Sequence, residues 1–244
     1  MRIPRFYTPI PLQQGQQLEL PPEVFRHAIQ VLRLNPGADL ILFNGQGGEY
    51  LAELTTVGKR HASVQITAFT PQERESPLHL TLVQALIKPD KMDFAIQKSV
   101  ELGVAAIQPL LSARSVTRPG RDQLDKKQQH WEAVAGSACE QSGRTRLPMI
   151  LPLLTLDGYL AASARRERLI LLPGAHPRLP ELVFDSTPRI LEVLIGPEGG
   201  FDDGEVSACL QAGIRPLALG PRILRAETAA LTISSLLQQY FGDL

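Results

Sequence analysis

The sequence has few cysteines, no long apolar run and no net charge. Its two cysteines, Cys139 and Cys209, stand in partly apolar surroundings, and neither has a cysteine or histidine at metal-site spacing. We therefore expect two free thiols in a reducing cytoplasm and no structural metal. No apolar stretch approaches the ~20 residues that a membrane-spanning helix needs, and the opening residues lack the pattern of a signal peptide. We accordingly expect no association with a membrane.

The charge balance restricts how the chain would bind nucleic acid. Its 25 lysines and arginines are matched by 25 aspartates and glutamates among 244 residues. Many nucleic-acid-binding proteins are globally basic, because phosphate neutralisation supplies much of their affinity. Any such surface on this chain must therefore be a local basic patch.

The apolar fraction of 43% is typical of a globular protein, and the length suits one large domain or two smaller ones.

The character of the chain changes near residue 75. The segment Pro71–Pro77 is charged, bracketed by prolines and without apolar periodicity, which predicts a linker. Strands predicted before it at 39–43, 49–57 and 62–69 are separated by glycine turns, a pattern typical of a small barrel or sandwich. One predicted helix interrupts them; it opens at Pro21-Pro22-Glu23, and its apolar face consists of Val24, Phe25, Ala28, Ile29, Val31 and Leu32. We divide the chain into a domain at 1–72, a linker at 73–77 and a domain at 78–244.

Strands and helices alternate after the linker. Strands are predicted at 78–87, 105–111, 168–172, 190–195 and 215–219, and helices from Asp90 and at 123–139, 202–212 and 226–240. This alternation predicts an α/β fold with an open, largely parallel sheet covered by helices. Asp90 is the expected N-cap of its helix, and Gly103 stands where a glycine would end it. Asp202 and Glu205 are spaced as a capping box.

A glycine-rich loop follows one of these strands. The segment Ile195-Gly196-Pro197-Glu198-Gly199-Gly200-Phe201 connects a buried strand to a capped helix. Ligands of open α/β sheets bind at the carboxyl ends of strands, and glycines let the backbone approach a ligand closely. The loop is neither a P-loop nor a dinucleotide fingerprint, because the required glycine and lysine spacings are absent. We interpret it as a small-ligand site, with a tight turn that binds nothing as the alternative.

Two further loops also follow predicted strands. Pro173–Pro177 contains His176, which we interpret as a solvated loop histidine rather than a catalytic base. In Leu219–Thr228, Arg225 would lie near the same sheet edge as the glycine loop. A salt bridge to Glu227 or Glu198 is the alternative role for Arg225.

Polar segments elsewhere give weaker signals. Glu140–Arg146 ends the long helix with two arginines, which suits either phosphate or partner binding or a solvated helix terminus. Lys98 and Glu101 have the spacing of an i,i+3 pair. A candidate RNA surface, with scattered surface charge as the alternative, combines two arginines two turns apart on the predicted N-terminal helix with three other basic residues: Arg26, Arg33, Arg5, Lys59 and Arg60.

Several stretches together resemble the RsmE family, which methylates N3 of a uridine in 16S ribosomal RNA. In chain order they are Arg5-Phe6-Tyr7, His27–Arg33, Gln97–Gly103, Glu140–Arg144, Ile195–Gly200 and Leu219–Ala229. They span nearly the whole chain, and residues 78–244 resemble the wider SPOUT class of methyltransferases. The combination is highly specific, whereas the glycine loop alone would be only moderately so.

The resemblance implies a fold and a function that the local patterns do not. It implies a SPOUT α/β domain with a deep trefoil knot, a PUA-like N-terminal β-barrel, a homodimer and a cytoplasmic enzyme acting on 16S rRNA of the 30S subunit. It implies S-adenosyl-L-methionine as cofactor, held by Leu172, Pro173, Gly174, Ile195, Gly196, Pro197, Glu198, Gly199, Gly200, Leu219, Gly220, Ile223, Leu224 and Thr228. The alternatives are a SPOUT methyltransferase acting on tRNA or another rRNA position, and an RNA-binding protein without activity.

The chemistry of such a reaction suggests catalytic residues. Uridine N3 carries a proton at neutral pH, so either a base removes it or a cation stabilises the anion that develops on the neighbouring carbonyl oxygens. Arg225 and Arg144 are our candidates for the cation, with Arg144 supplied by the partner subunit of the implied dimer. Glu140 and Glu198 are candidate bases.

Overall fold

The computed structural model describes residues 3–162 and 166–244. The chain divides into two compact units: the first comprises the residues up to Glu75 together with Gly136–Leu147, and the second comprises Ser76–Ala135 and Pro148–Leu244. The sequence analysis placed all of 78–244 in one domain, so the assignment of Gly136–Leu147 differs from that expectation. The physical reason is that polar side chains of this segment find their partners in the first unit, as the ion pair of Arg144 with Glu75 illustrates.

The first unit contains a five-stranded sheet in the order β1-β3-β4-β5-β2. Its strands are β1 (Arg5–Tyr7), β2 (Gln17–Glu19), β3 (Asp39–Phe43), β4 (Glu49–Val57) and β5 (Ala62–Thr70). The β1–β3 pair is parallel and the other pairs are antiparallel. Leu40, Leu42, Leu54, Val64 and Ile66 are fully buried and form the centre of its core. The predicted strands match β3 and β4, and β5 is one residue longer than predicted.

The helix of the first unit departs from the predicted one. A short α1 (Pro22–Phe25) continues as a π-helix over Arg26–Val31, whose hydrogen bonds span five residues and make a wider turn. Residues that would lie on one face of an α-helix therefore point in different directions in this segment. Val24, Phe25 and Ala28 are buried as predicted, but the side chains of Val31 and Leu32 are exposed, so the predicted apolar face is wrong at its end.

The second unit contains a seven-stranded sheet whose pairs are all parallel. The order is β12-β10-β11-β6-β7-β8, and β9 also pairs with β7. The strands are β6 (His79–Ala85), β7 (Ala106–Leu111), β8 (Met149–Ile150), β9 (Leu154–Thr155), β10 (Glu167–Leu171), β11 (Ile190–Ile195) and β12 (Arg215–Leu217). After their first residue, β6 and β11 are buried at every position, as strands covered on both faces are. The predicted parallel α/β sheet is confirmed.

The helices predicted in this unit are present, and a further short one, at Leu156–Ala161, was not predicted. They are α2 (Pro89–Glu101), α3 (Arg121–Ser142), α4 (Leu156–Ala161), α5 (Asp203–Gln211) and α6 (Ala226–Phe241), with a 3-10 turn at Leu179–Glu181; the end of α3 belongs to the first unit. The N-cap of α2 is Lys88 and not Asp90. The ring of Pro89 fixes a backbone angle that suits the first helical residue, so the helix begins at Pro89. Within the described residues, no helix combines the length and apolar character needed to cross a membrane.

The predicted capping box of α5 is confirmed. Asp202 accepts from the Glu205 amide at 2.8 Å, and Glu205 accepts from the Asp202 amide at 3.0 Å. Together they bind two amide groups that the first turn would otherwise leave unpaired.

We predict that Asp202→Ala lowers the free energy of unfolding by about 1 kcal/mol, because it removes the acceptor of the Glu205 amide. Urea denaturation monitored by circular dichroism measures the change. Asp203→Ala is the matched control, since Asp203 is the next residue and does not cap. An equal loss in both variants would contradict the capping role.

Candidate functional site

Three loops leave the same edge of the large sheet. The strands β12, β10 and β11 are neighbours and parallel, so the loops that begin after Leu217, Leu171 and Ile195 emerge on one side. The loops after β10 and β12 are also joined directly. The Leu172 amide donates to the Leu217 carbonyl at 3.0 Å, and the Ala218 amide donates to the Pro177 carbonyl at 2.9 Å. The structure thus brings together the three segments in which the sequence predicted a cofactor site.

The glycine loop owes part of its composition to its own turn. The Gly200 amide donates to the Pro197 carbonyl at 2.9 Å. Gly200 has a φ of +68°, a backbone conformation that is strained for residues with a side chain. A Cβ on Gly196 would lie 3.2 Å from the amide nitrogen of Phe201. The turn geometry therefore accounts for these two glycines, without any ligand.

Two other glycines at this edge have open space around their backbone. Gly174 and Gly220 have φ values of +107° and +112°, and a Cβ at either would meet no heavy atom within 4 Å. In the loop after β12, Ile223 is 86% exposed, Leu224 is half-buried and Thr228 is exposed. The loops after β10 and β12 thus expose backbone without side chains and one apolar side chain.

Segments after β6 and β7 hold the glycine loop in place. The Lys88 amide donates to Glu198 Oε1 at 3.0 Å, and Arg114 Nη1 donates to the Gly199 carbonyl at 2.9 Å. The Ala113 amide donates to Glu205 Oε1 at 2.7 Å. Arg114 was not predicted from the sequence, because a single arginine in a serine-rich loop belongs to no motif that would indicate its contact with Gly199.

Arg225 is the exposed N-cap residue of α6. Neither alternative salt bridge is present, because Glu198 accepts from the Lys88 amide and Glu227 lies 3.7 Å from Lys91 Nζ. Within residues 3–162 and 166–244, Arg225 forms no ion pair. The amino end of a helix is electropositive, so a cation there does not stabilise the helix. The position therefore suits a group that meets a negative charge from outside the chain.

The other two catalytic candidates lie in the first unit, whereas Arg225 lies in the second. Arg144 is 4% exposed, and its Nε and Nη2 donate to the two carboxylate oxygens of Glu75, the former at 3.0 Å. Glu140 accepts from the Tyr7 amide at 2.8 Å, and burial raises the pKa of its carboxyl group. Both side chains thus have partners within the first unit.

The candidate RNA surface needs two corrections. Arg5 is 9% exposed, forms an ion pair with Glu49 and donates to the Arg144 carbonyl at 3.0 Å, so its guanidinium is not presented to RNA. Arg26 and Arg33 do not share a helix face, because the π-helix ends at Val31 and Arg33 follows with a φ of +56°. The other four candidates, Arg26, Arg33, Lys59 and Arg60, are exposed.

The pair predicted on α2 is present, with Lys98 Nζ 2.8 Å from Glu101 Oε1. Cys139 and Cys209 are free and buried, and burial raises the pKa of the Cys139 thiol to about 12. In the part of the chain that the structure describes, no group of three or more histidine, cysteine, aspartate or glutamate side chains is arranged to hold a metal ion.

Comparisons with known proteins agree with this architecture. An RNA methyltransferase domain model matches residues 74–238, and an RNA methyltransferase PUA domain model matches residues 20–67. A relative from Buchnera aphidicola, named ribosomal RNA small subunit methyltransferase E, is 35% identical over 244 residues, which is 100% of this chain and 98% of its own. The chain belongs to the RsmE family. A second family member, from Bacillus subtilis, is 31% identical over 90% of this chain and 89% of its own length.

Solved structures give the same result. An RsmE protein from Neisseria gonorrhoeae bound to S-adenosyl methionine superposes with a TM-score of 0.91 at 37% identity, and a Legionella pneumophila methyltransferase in complex with the same cofactor does so with 0.96 at 39%. Each comparison covers 100% of both chains. The predicted α/β fold with a PUA-like domain is therefore confirmed, as is the RsmE resemblance.

We predict that Glu140→Gln stabilises the protein above the pKa of the buried carboxyl group. A carboxyl whose pKa is raised on folding binds its proton more tightly when folded, so the wild type loses stability as pH rises through the folded pKa. Glutamine keeps an acceptor for the Tyr7 amide without the buried charge. The advantage of the variant should shrink as pH falls towards 4.5, the ordinary glutamate value.

Unfolding free energies across a pH series test this prediction. Ser137→Ala, an exposed change on the same helix, should shift stability equally at every pH. The same pH-independent shift in Glu140→Gln would contradict a buried ionised carboxylate.

Proposed function

We propose that this RsmE-family chain transfers the methyl group of S-adenosyl-L-methionine to N3 of a specific uridine in the 16S rRNA of the 30S subunit. The observation that carries the proposal is that β10, β11 and β12 deliver their loops to one sheet edge. The RsmE name of the relatives and the cofactor in the Neisseria and Legionella structures support it. Because its substrate is the ribosome, the enzyme is cytoplasmic.

The residues at this edge fit the cofactor. Gly174 and Gly220 offer backbone with open space where a Cβ would stand, and the Ile223 side chain offers an apolar surface to the purine ring. Bound S-adenosyl-L-methionine supplies a methyl group that is already strongly electrophilic, so the chain must mainly orient the nucleophile. We assign cofactor binding to Leu172, Pro173, Gly174, Ile195, Gly196, Pro197, Glu198, Gly199, Gly200, Leu219, Gly220, Ile223, Leu224 and Thr228. Ile195 is buried in β11 and contributes through its backbone, and Glu198 shapes the loop through the Lys88 amide.

Finer features of the fold belong to the same proposal. We propose a deep trefoil knot in the C-terminal domain and a PUA-like β-barrel in the N-terminal one, with the boundary at the 73–77 linker. The knot is supported by the strand order, since β12 returns to the side of β10 away from β11 before α6 follows. We also propose a homodimer whose active sites lie near the subunit interface.

Arg225 is the cation that we assign to the reaction. Removal of the uridine N3 proton places negative charge on the adjacent carbonyl oxygens, and a nearby guanidinium stabilises that charge. Arg225 is exposed, and the amides at the start of α6 add to the positive potential around it. Arg144 and Glu140 instead keep Gly136–Leu147 in the first unit, because their side chains are bound to Glu75 and the Tyr7 amide.

The RNA-binding surface of the first unit consists of the exposed basic residues Arg26, Arg33, Lys59 and Arg60. Arg33 directly follows the exposed apolar residues Val31 and Leu32 in the chain and has a positive φ of +56°. Phosphate contacts by these cations position the enzyme on rRNA without reading its sequence. These exposed cations reconcile RNA binding with a chain of zero net charge.

The proposed activity predicts methyl transfer to 30S subunits that lack the modification. Purified chain and radiolabelled S-adenosyl-L-methionine should label 16S rRNA, and mass spectrometry of its nucleosides should identify 3-methyluridine. Transfer RNA and 50S subunits are the matched substrates. Labelling of either instead of 16S rRNA would favour the alternative SPOUT activity, and a lack of cofactor binding in calorimetry would favour a non-enzymatic RNA-binding protein.

We predict that Arg225→Ala lowers kcat by roughly 10²- to 10³-fold, the usual effect of removing a group that stabilises developing negative charge. Calorimetry should show nearly unchanged affinity for the cofactor. Arg225→Lys should recover part of the rate, and Arg222→Ala, an exposed arginine of the same loop, is the control. Near-normal turnover in Arg225→Ala with intact cofactor binding would remove Arg225 from the mechanism.

A further inference from the structure

A cavity of about 300 Å³ lies between α2, α3 and the segments that follow β6 and β7. Its apolar wall consists of Leu86, Ile87, Met92 and Trp131, each at most 6% exposed. Ligand pockets in proteins begin at about this volume, and most have an apolar or aromatic lining with a few polar groups. All of these residues lie in the second unit.

The rim of the cavity is polar and basic. Lys126 and Lys127 stand on the first turns of α3, and neither forms an ion pair with another described residue. Lys127 Nζ lies 5.9 Å from the centre of the Trp131 ring. His130 Nε2 lies 2.8 Å from Asp93 Oδ2, so the carboxylate on the rim already has a partner. The lysines therefore leave the entrance with positive charge available to an anion.

Two of the cavity walls also contact the glycine loop. The wall residue Ile87 precedes Lys88, whose amide donates to Glu198. Thr117, a second lining residue, donates to the Ile87 carbonyl at 2.9 Å and belongs to the loop in which Arg114 donates to the Gly199 carbonyl. A ligand in the cavity would thus rest on the segments that fix the proposed cofactor loop.

We propose that this cavity receives a nucleobase of the RNA substrate near the methylated uridine, with the backbone phosphate of that nucleotide on Lys126 and Lys127. The inference rests on the proposed function. An aromatic and apolar wall beside unpaired cations is the combination with which proteins bind single-stranded RNA, since the base stacks and the phosphate meets the cations. An inorganic anion would make no contact with the apolar wall, and an apolar ligand would make no ionic contact with the lysines.

Trp131 gives this proposal a direct optical test, because it is the one tryptophan in the sequence. Titration of the full chain with hexauridylate should quench its emission in a saturable way. Unquenched emission while filter binding shows saturable hexauridylate binding would place the RNA elsewhere. Emission that changes with protein concentration and not with RNA would indicate a second copy of the chain in the cavity. Either result, or the absence of any hexauridylate binding, overturns the proposal.

Substitutions at the rim test the phosphate contacts without altering the core. The double variant Lys126→Gln, Lys127→Gln should bind hexauridylate roughly tenfold more weakly and reduce the salt slope by about 0.7, since both lysines meet one phosphate and each phosphate neutralised on a single strand contributes about 0.7. Lys98→Gln is the matched control, because Lys98 is on α2, pairs with Glu101 and does not line the cavity. An unchanged salt slope in the double variant contradicts the proposal.

Substitution of the wall tests base stacking. Trp131→Leu keeps the wall apolar and should weaken binding roughly tenfold, whereas Trp131→Phe keeps an aromatic ring and should lose less. With 30S subunits, the lysine double variant should raise KM while kcat and cofactor affinity stay at wild-type values. If the wild type binds cofactor and methylates 30S subunits while these variants behave as wild type, only the cavity proposal fails. If the wild type does neither, the proposed function itself fails.

Discussion

The parallel alignment of β12, β10 and β11 is the constraint on which the site depends. Parallel neighbours place their carboxyl ends at one edge, so segments separated by tens of residues along the chain become adjacent loops. The Leu172 and Ala218 amides extend this pairing past the strand ends and join two of the loops. The central strands are buried on both faces, and a shift in their register would displace buried side chains together with the loops.

The polar residues at this edge divide into those with partners inside the chain and those without. Glu198, Arg114 and Glu205 each bond to a backbone group of another segment and connect the segments at this edge. Arg225 has no such partner among the described residues, although it stands at a helix end that is already electropositive. A cation at the amino end of a helix does not stabilise it, and the transient anion of the proposed reaction is the partner that we assign to Arg225.

Features of the structure were predictable from the sequence when the interacting residues lie close together along the chain. Strands such as β3, β4 and β11 were predicted at their exact bounds or nearly so, because their burial is recorded in local runs of apolar residues. The capping box of α5 was predicted because its two partners are three residues apart. The π-helix, the start of α2 and the burial of Arg5 depend on neighbouring elements or on backbone geometry that periodicity does not encode.

The same limit applies to the candidate site. The glycine loop and Leu219–Thr228 were predicted as parts of a site because unusual residues are concentrated in short segments, and the family resemblance then connected them. Arg114 and the cavity beside Trp131 were not found, because their partners lie far apart in the sequence and only the parallel sheet brings them together. The grouping of Gly136–Leu147 with the first unit was not foreseen for a related reason, since its partners Glu75 and Tyr7 precede it by more than sixty residues.

Some charged residues of the first unit are buried in ion pairs. Arg5 and Arg144 are buried against Glu49 and Glu75, and such pairs add little stability because desolvation offsets their attraction. Breaking one leaves an unpaired buried charge, so the pairs specify which segments come together, here Gly136–Leu147 and the strands of this unit. Arginines used in this way are lost to RNA binding. The overall charge therefore says little about RNA affinity, which depends on the few exposed cations that no carboxylate neutralises.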